Sequence, residues 1–311
     1  SRPQAPSRRP ERRWTPRSVE PPTGSTFPQQ APSGSRDGLN YPSRVGKSRF
    51  HPFIAAKGPI GLAHRGGGRE APENSLTAFR NAARIGFDYF ETDVRATSDG
   101  KVMVFHDASL NRVTDRVGRI SALPYSEVRR AKVGGTDRVM RLEELLEEFD
   151  DKFINIDVKD DHTVEPFLKL VKQKKVAERI CVGSFSALLV RALRASLRTS
   201  AASSLTPPEV ASLMAASRMG PFSRLAEFAL PSNAQCVQVP VSQNGVPIIT
   251  KAFVAAAHKR GLVVHAWTID DEPTMARLLE MGVDGIVTDR PTLFRSVLER
   301  GQWHQPRALT S

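Results

Sequence analysis

From residue 58 onward, short apolar runs alternate with helix-patterned ones almost without interruption, which confines the chain to the α/β folds. Strands are expected over residues 60–64, 89–95, 153–158, 180–184, 200–205, 236–241, 263–269 and 285–288, the fifth of them weak. Helices are expected between them. In the first, over 75–85, Leu76, Phe79, Ala82 and Ala83 recur at helical spacing. Residues 102–106 read as a further strand, taken as an excursion from the second. Eight strand–helix units in about 250 residues is the usual size of a TIM (β/α)8 barrel. An open doubly wound sheet is the alternative. The barrel is preferred because candidate site residues follow the first three strands and recur near the last two, whereas an open sheet gathers ligands at one switch point.

Residues 1–57 have a different character. They hold eleven Lys and Arg against Glu11, Glu20 and Asp37, together with ten of the chain's 23 prolines. So little apolar surface cannot offset the entropy of ordering, so a disordered basic leader is expected before a folded domain over 58–311. Such an arm suits weak contact with an anionic surface. Specific nucleic-acid binding is not expected, because Trp14, Phe27 and Tyr41 are too scattered to form a stacking platform. No apolar run reaches the roughly 18 residues of a membrane span, and the start lacks a signal peptide's apolar core. Cys181 and Cys236 sit in short apolar runs and read as buried free thiols. A cytoplasmic location is therefore expected. Residues 108–140 look polar and irregular.

Polar clusters interrupt the apolar beat at strand ends. Glu91 and Asp93 are two apart on a strand and so share a face, as do Asp157 and Lys159. Three carboxylates converging in one pocket would repel one another. A hard divalent cation resolves this, and oxygen-only ligation points to Mg²⁺ or Ca²⁺. His64 follows an apolar strand and precedes Arg65 and three glycines, which would let the backbone approach a phosphate. His106 closes another apolar run, beside Asp107, which could orient its ring. Two histidines in one mouth can divide the roles of general acid and general base. Asp289, before Arg290 and Pro291, reads as a cap of the last helix. His258 and His265 read as non-catalytic.

His64-Arg65-Gly66, Pro72-Glu73-Asn74-Ser75, Glu91-Thr92-Asp93-Val94, His106-Asp107, Ile156-Asp157-Val158-Lys159, Ala266-Trp267-Thr268 and the stretch from Gly285 to Pro291 follow one another in the order of the glycerophosphodiester phosphodiesterase family, which the chain resembles. That resemblance implies a TIM barrel and metal-dependent hydrolysis of a glycerophosphodiester to glycerol 3-phosphate and an alcohol. It implies Glu91, Asp93 and Asp157 as metal ligands and His64 and His106 as the acid–base pair. Arg65 and Lys159 would meet the phosphate, Trp267 the glycerol, and Glu73 and Asn74 would support the site. The family usually carries Glu at the third ligand position. Asp157 is one methylene shorter, a loss of reach of roughly 1.5 Å. Two other functions stay open: lysophospholipase D-type cleavage of lysophospholipids, with 108–140 or 217–232 lining an apolar groove, and a non-catalytic phosphodiester-binding protein.

Overall fold

Most helices of the domain begin where a small polar side chain can accept a free backbone N–H. Ser75 accepts from Ala78 (3.1 Å), Asp160 from Thr163 (3.1 Å), Thr250 from Phe253 (3.1 Å) and Asp271 from Thr274 (3.0 Å). In the computed structural model, which describes residues 51–56, 58–218, 233–301 and 303, these caps open helices that follow the strands of a barrel. The barrel strands are β1 (Ile60–His64), β2 (Tyr89–Ala96), β3 (Phe153–Val158), β4 (Ile180–Gly183), β5 (Ala202–Ser203), β6 (Cys236–Val239), β7 (Val263–Ala266) and β8 (Gly285–Thr288). The helices after them are α1 (Leu76–Arg84), α2 (Leu142–Glu148), α3 (Asp161–Lys174), α4 (Ala187–Leu197), α5 (Pro207–Arg218), α6 (Lys251–His258), α7 (Glu272–Glu280) and α8 (Pro291–Arg300).

The strands lie in chain order, all parallel, with β1 hydrogen-bonded to both β2 and β8. The remaining seam, between β5 and β6, is closed by the parallel bridge Ser204–Cys236. There the Leu205 N–H donates to the Cys236 carbonyl (3.0 Å) and the Gln235 N–H to that of Ser203 (3.0 Å). The barrel expectation holds. Strand β5 is short because its alanines and serines pack poorly on a pleated sheet. A buried side-chain network holds it instead: Arg194 of α4 donates to Ser203 Oγ (3.0 Å), to the Ser204 carbonyl (2.6 Å) and to both oxygens of Glu209 (2.8 and 3.0 Å). Strand Val102–Val104 folds back antiparallel on β2.

The ordered domain starts before residue 58. Phe53 and Ile54, in the 3-10 turn Pro52–Ile54, are buried with Leu62, Tyr89, Cys181, Ala202, Cys236, Val263 and Val287 inside the barrel. Phe53 meets Tyr89 edge-on (5.3 Å between ring centres), and Tyr89 stacks on Phe153 (4.9 Å). A three-residue plug has no periodicity for pattern reading to find. Residues 1–50 and 57 of the expected leader, with its proposed anionic contact, lie outside the described residues, as does most of 217–232.

Residues 108–140 are also more organised than their composition suggests. Met103, Phe105, Leu110, Ile120, Val128, Ala131, Val133 and Val139 form a small core of their own beside the barrel. Cys181 and Cys236 are buried free thiols, 3.5 Å apart. Among the described residues no helix is long and apolar enough to cross a membrane.

Candidate active site

Strand register builds the site. His64 of β1 pairs with Glu91 of β2, and Asp93 of β2 pairs with Asp157 of β3, so the charged side chains converge from three neighbouring strands. His64 Nε2 lies 3.8 Å from Glu91 Oε2. Lys159 Nζ bridges the other pair, 2.7 Å from Asp93 Oδ1 and 2.6 Å from Asp157 Oδ2. Asp157 Oδ1 is buried without a hydrogen-bond partner.

The turn after β1 supplies the next layer. Arg65 has a left-handed backbone (φ 52°), its N–H donates to Glu91 Oε2 (3.2 Å), and its guanidinium spans Glu73 (3.0 Å) and Asp93 (3.1 Å). Asn74 donates to Asp93 Oδ2 (3.2 Å) and accepts from the Thr92 hydroxyl (2.8 Å). Two of the three glycines pack closely against neighbouring helices. A Cβ on Gly66 (φ 81°) would stand 2.7 Å from Ala78 Cβ, and one on Gly67 (φ 100°) 2.7 Å from Pro291. They let the turn lie against the N-terminal ends of α1 and α8.

Each candidate histidine is held at Nδ1 by its own carboxylate. His64 donates to Asp289 Oδ1 (2.7 Å) and His106 to Asp107 Oδ1 (2.7 Å), since an ionised carboxylate can only accept. Nε2 of each ring is thereby left for other partners. Asp289 does not cap α8; Glu70 does, accepting the Thr292 N–H (3.0 Å). Asp289 instead takes His64, while its own N–H donates to Asp270 (2.8 Å). Arg112, from the segment after His106, binds both Asp107 and Glu73.

Burial and crowding set the protonation states. Burial and neighbouring Asp93 push Glu91 up to about 7. Burial also raises Asp157, against the pull of Lys159. For Asp93 burial works the same way, but Lys159 and Arg65 prevail and hold it low. Burial disfavours charged His64, yet Glu91 and Asp289 together raise it. The Arg112 hydrogen bond keeps Asp107 well below the usual carboxylate range.

Trp267 stands at the edge of this cluster. It meets Phe185 edge-on (5.7 Å), and Phe185 lies 5.9 Å from Lys159 Nζ. Phe185 is 67% exposed, so this side of the site carries bare apolar surface, and Leu188, three residues further along the chain, is 74% exposed.

Residues 64–293 match the glycerophosphoryl diester phosphodiesterase family. The chain belongs to that family. It is 38% identical over 253 residues to a protein of Mycobacterium tuberculosis named probable glycerophosphodiester phosphodiesterase 2, covering 81% of this chain and 95% of that one. It is 28% identical over 290 residues to lysophospholipase D GDPD1 of Rattus norvegicus, covering 84% and 91%. A crystal structure of a glycerophosphodiester phosphodiesterase from Agrobacterium tumefaciens superposes with a TM-score of 0.64 at 26% identity, covering 78% of this chain and 99% of the other.

Within this family member, the structure brings His64, Arg65, Glu73, Asn74, Glu91, Asp93, His106, Asp157 and Lys159 into one linked cluster, with Trp267 joined to it through Phe185. Sequence reasoning missed Phe185 and Arg112 and gave Asp289 a different role. Phe185 carried a usable signal, an apolar residue just past a strand end. Arg112 carried none beyond its charge. No three His, Cys, Asp or Glu side chains among the described residues converge on a single point as a finished metal cage.

Proposed function

We propose that the chain hydrolyses glycerophosphodiesters to glycerol 3-phosphate and an alcohol, and that it requires one divalent cation, Mg²⁺ or Ca²⁺. The observation that carries the reading is the pair of imidazoles, each oriented at Nδ1 by a carboxylate and each bordering one carboxylate cluster. His64 lies against Glu91, and His106 is joined to the cluster through Asp107, Arg112 and Glu73.

The donors suit a hard cation: three carboxylates, one oxygen of them buried and unpartnered, and Glu91 driven toward neutrality by burial and by Asp93. Lys159 bridges Asp93 and Asp157, so its ammonium would compete with a cation for these oxygens. Glu91, Asp93 and Asp157 would hold the cation, whose contribution when bound is to polarise the phosphoryl oxygens and screen their charge. Arg65 and Lys159 bind those oxygens from the protein side. One imidazole accepts the proton of the substrate's glycerol hydroxyl as that oxygen attacks phosphorus, while the other protonates the departing alkoxide. Water then opens the resulting cyclic phosphate with the two proton roles exchanged. Trp267 faces the glycerol, and Glu73 and Asn74 hold Arg65 and Asp93. The free buried thiols favour a reducing, cytoplasmic setting.

The exposed side chains of Phe185 and Leu188 favour a second substrate reading, a lysophospholipid whose acyl chain lies along them. The test is hydrolysis of glycerophosphocholine and lysophosphatidylcholine by the purified chain, in EDTA and after adding back Mg²⁺ or Ca²⁺. Release of glycerol 3-phosphate that EDTA stops and one ion restores is expected. Metal-restored cleavage of the lipid alone moves the assignment to the second reading, and silence on both overturns the hydrolase.

A further inference from the structure

We propose that Arg112 is a positioning residue for the reaction above: it ties Asp107 to Glu73 and thereby sets His106 and Arg65 at a fixed separation across the mouth. The inference rests on the hydrolase reading for its kinetic readout. Its geometry stands on contacts alone.

Arg112 uses three nitrogens on four oxygens. Nε donates to Asp107 Oδ2 (2.6 Å) and Nη2 to Asp107 Oδ1 (3.0 Å); Nη1 donates to Glu73 Oε2 (2.8 Å) and Nη2 to Glu73 Oε1 (2.7 Å). Two of these oxygens already serve the site. Asp107 Oδ1 accepts from His106, and Glu73 Oε1 accepts from Arg65. The result is an unbroken chain of side-chain hydrogen bonds, Arg65–Glu73–Arg112–Asp107–His106, running from the turn after β1 to the turn beyond strand Val102–Val104. A planar fork meets both oxygens of each of two carboxylates in fixed directions, and a lysine ammonium cannot reproduce that four-oxygen geometry.

Arg112 is itself anchored. It stands in a turn where the Thr114 hydroxyl donates to the Leu110 carbonyl (2.7 Å) and the Asn111 side chain accepts the Gly118 N–H (3.1 Å). Leu110 is buried in the small core of the segment over 103–139. That core therefore carries the clamp. The alternative, a network serving stability alone, fits poorly with the 48% exposure of the Arg112 side chain. Ion pairs at that exposure add little to folding. Geometry is another matter, because a displacement of about 1 Å at a reacting group can cost on the order of a hundredfold in rate.

The experiment compares wild type, Arg112→Ala, Arg112→Lys, Asp107→Asn and the double variant Arg112→Ala with Asp107→Asn. We expect Arg112→Ala to lower kcat by roughly ten- to a hundredfold, with KM changed much less and the melting temperature nearly unmoved. The lysine variant should recover little. Added guanidinium should restore part of the rate to Arg112→Ala and none to the double variant, which should be no slower than the poorer single. In ¹⁵N-histidine NMR the His106 Nδ1 proton should be visible in wild type and exchange-broadened in Arg112→Ala. A well-folded Arg112→Ala with kcat within about twofold of wild type, or kcat losses that multiply in the double variant, overturns the clamp. If wild type hydrolyses no glycerophosphodiester, the hydrolase reading fails separately and the NMR signal decides: an unchanged His106 proton in Arg112→Ala then overturns the proposal.

Discussion

Asp289 gives the sharpest perturbation of the proposed chemistry, because its side chain holds His64 from the side away from substrate. Its Oδ1 accepts the His64 Nδ1 proton at 2.7 Å, and both side chains are at least three-quarters buried. A hydrogen bond to a charged group of this kind is worth about 1.5–3 kcal/mol net. If that energy serves to hold the imidazole in its working orientation, losing it should slow turnover by about ten- to a hundredfold. Asp289→Asn tests this more stringently than alanine. With its oxygen turned to His64 the amide keeps a neutral bond but loses the charge. Turned the other way, it presents an N–H to Nδ1 and forces the proton onto Nε2, the wrong tautomer for a ring whose Nε2 must exchange protons with substrate. Both outcomes lower kcat, and neither alters the cation ligands. Steady-state kinetics on glycerophosphocholine at saturating metal should therefore show the loss in kcat with KM nearly constant. A folded Asp289→Asn enzyme with wild-type kcat would refute the orientation argument and leave the 2.7 Å contact a structural one.

Three further outcomes follow from burial and charge. Phe53→Ala should cost about 3–5 kcal/mol by emptying the plug inside the barrel; urea unfolding that shows a loss below about 1 kcal/mol would mean that residues 52–54 do not seal it. Asp157→Asn should weaken Mg²⁺ or Ca²⁺ binding at least tenfold by calorimetry while leaving the metal-free protein no less stable, because it replaces a buried carboxylate that burial already disfavours; unchanged affinity would remove Asp157 from the ligand set. Burial holds His265 down at about 4, so the folded protein keeps it neutral while the unfolded chain takes up a proton below about 6.5. Stability should therefore fall as pH drops from 6.5 toward 4, by up to about 3 kcal/mol from this group. His265→Gln should flatten that slope, and an unchanged slope would assign the acid sensitivity elsewhere.

The parts of the fold legible in the sequence are those carried by local repetition. Apolar runs announced the barrel strands, and the helical spacing of Leu76, Phe79, Ala82 and Ala83 announced the first helix. Phe53 escaped because its partners are far away in sequence, and the apolar residues of 108–140 because they follow no period. Strand β5 was readable only weakly, since Arg194 rather than β-branched side chains secures it. The site divides in the same way. Glu91 and Asp93, or Asp157 and Lys159, declare a shared face through alternation along a strand. Asp289 lies 225 residues from His64, and Arg112 lies 39 from Glu73. Neither pairing leaves a trace in spacing, and the barrel alone closes the distance.

Charge balance at the mouth explains why these distant partners matter. The linked cluster holds six carboxylates, Glu73, Glu91, Asp93, Asp107, Asp157 and Asp289, against the cations Arg65, Arg112 and Lys159 and the imidazole of His64, whose charged form Glu91 and Asp289 favour. A phosphodiester carries a negative charge of its own and would be repelled from so acidic a pocket. The protein's cations cannot reverse this, since each already serves two carboxylates. Arg112 is engaged by Asp107 and Glu73, Arg65 by Glu73 and Asp93, Lys159 by Asp93 and Asp157. Partial protonation of Glu91 removes one charge at most. A divalent cation would supply what the side chains lack. By taking over Asp93 and Asp157 it would also release Lys159 to meet the substrate. On this reasoning metal and phosphate binding are linked through one ammonium group, so substrate affinity should depend on metal loading even before any bond is broken.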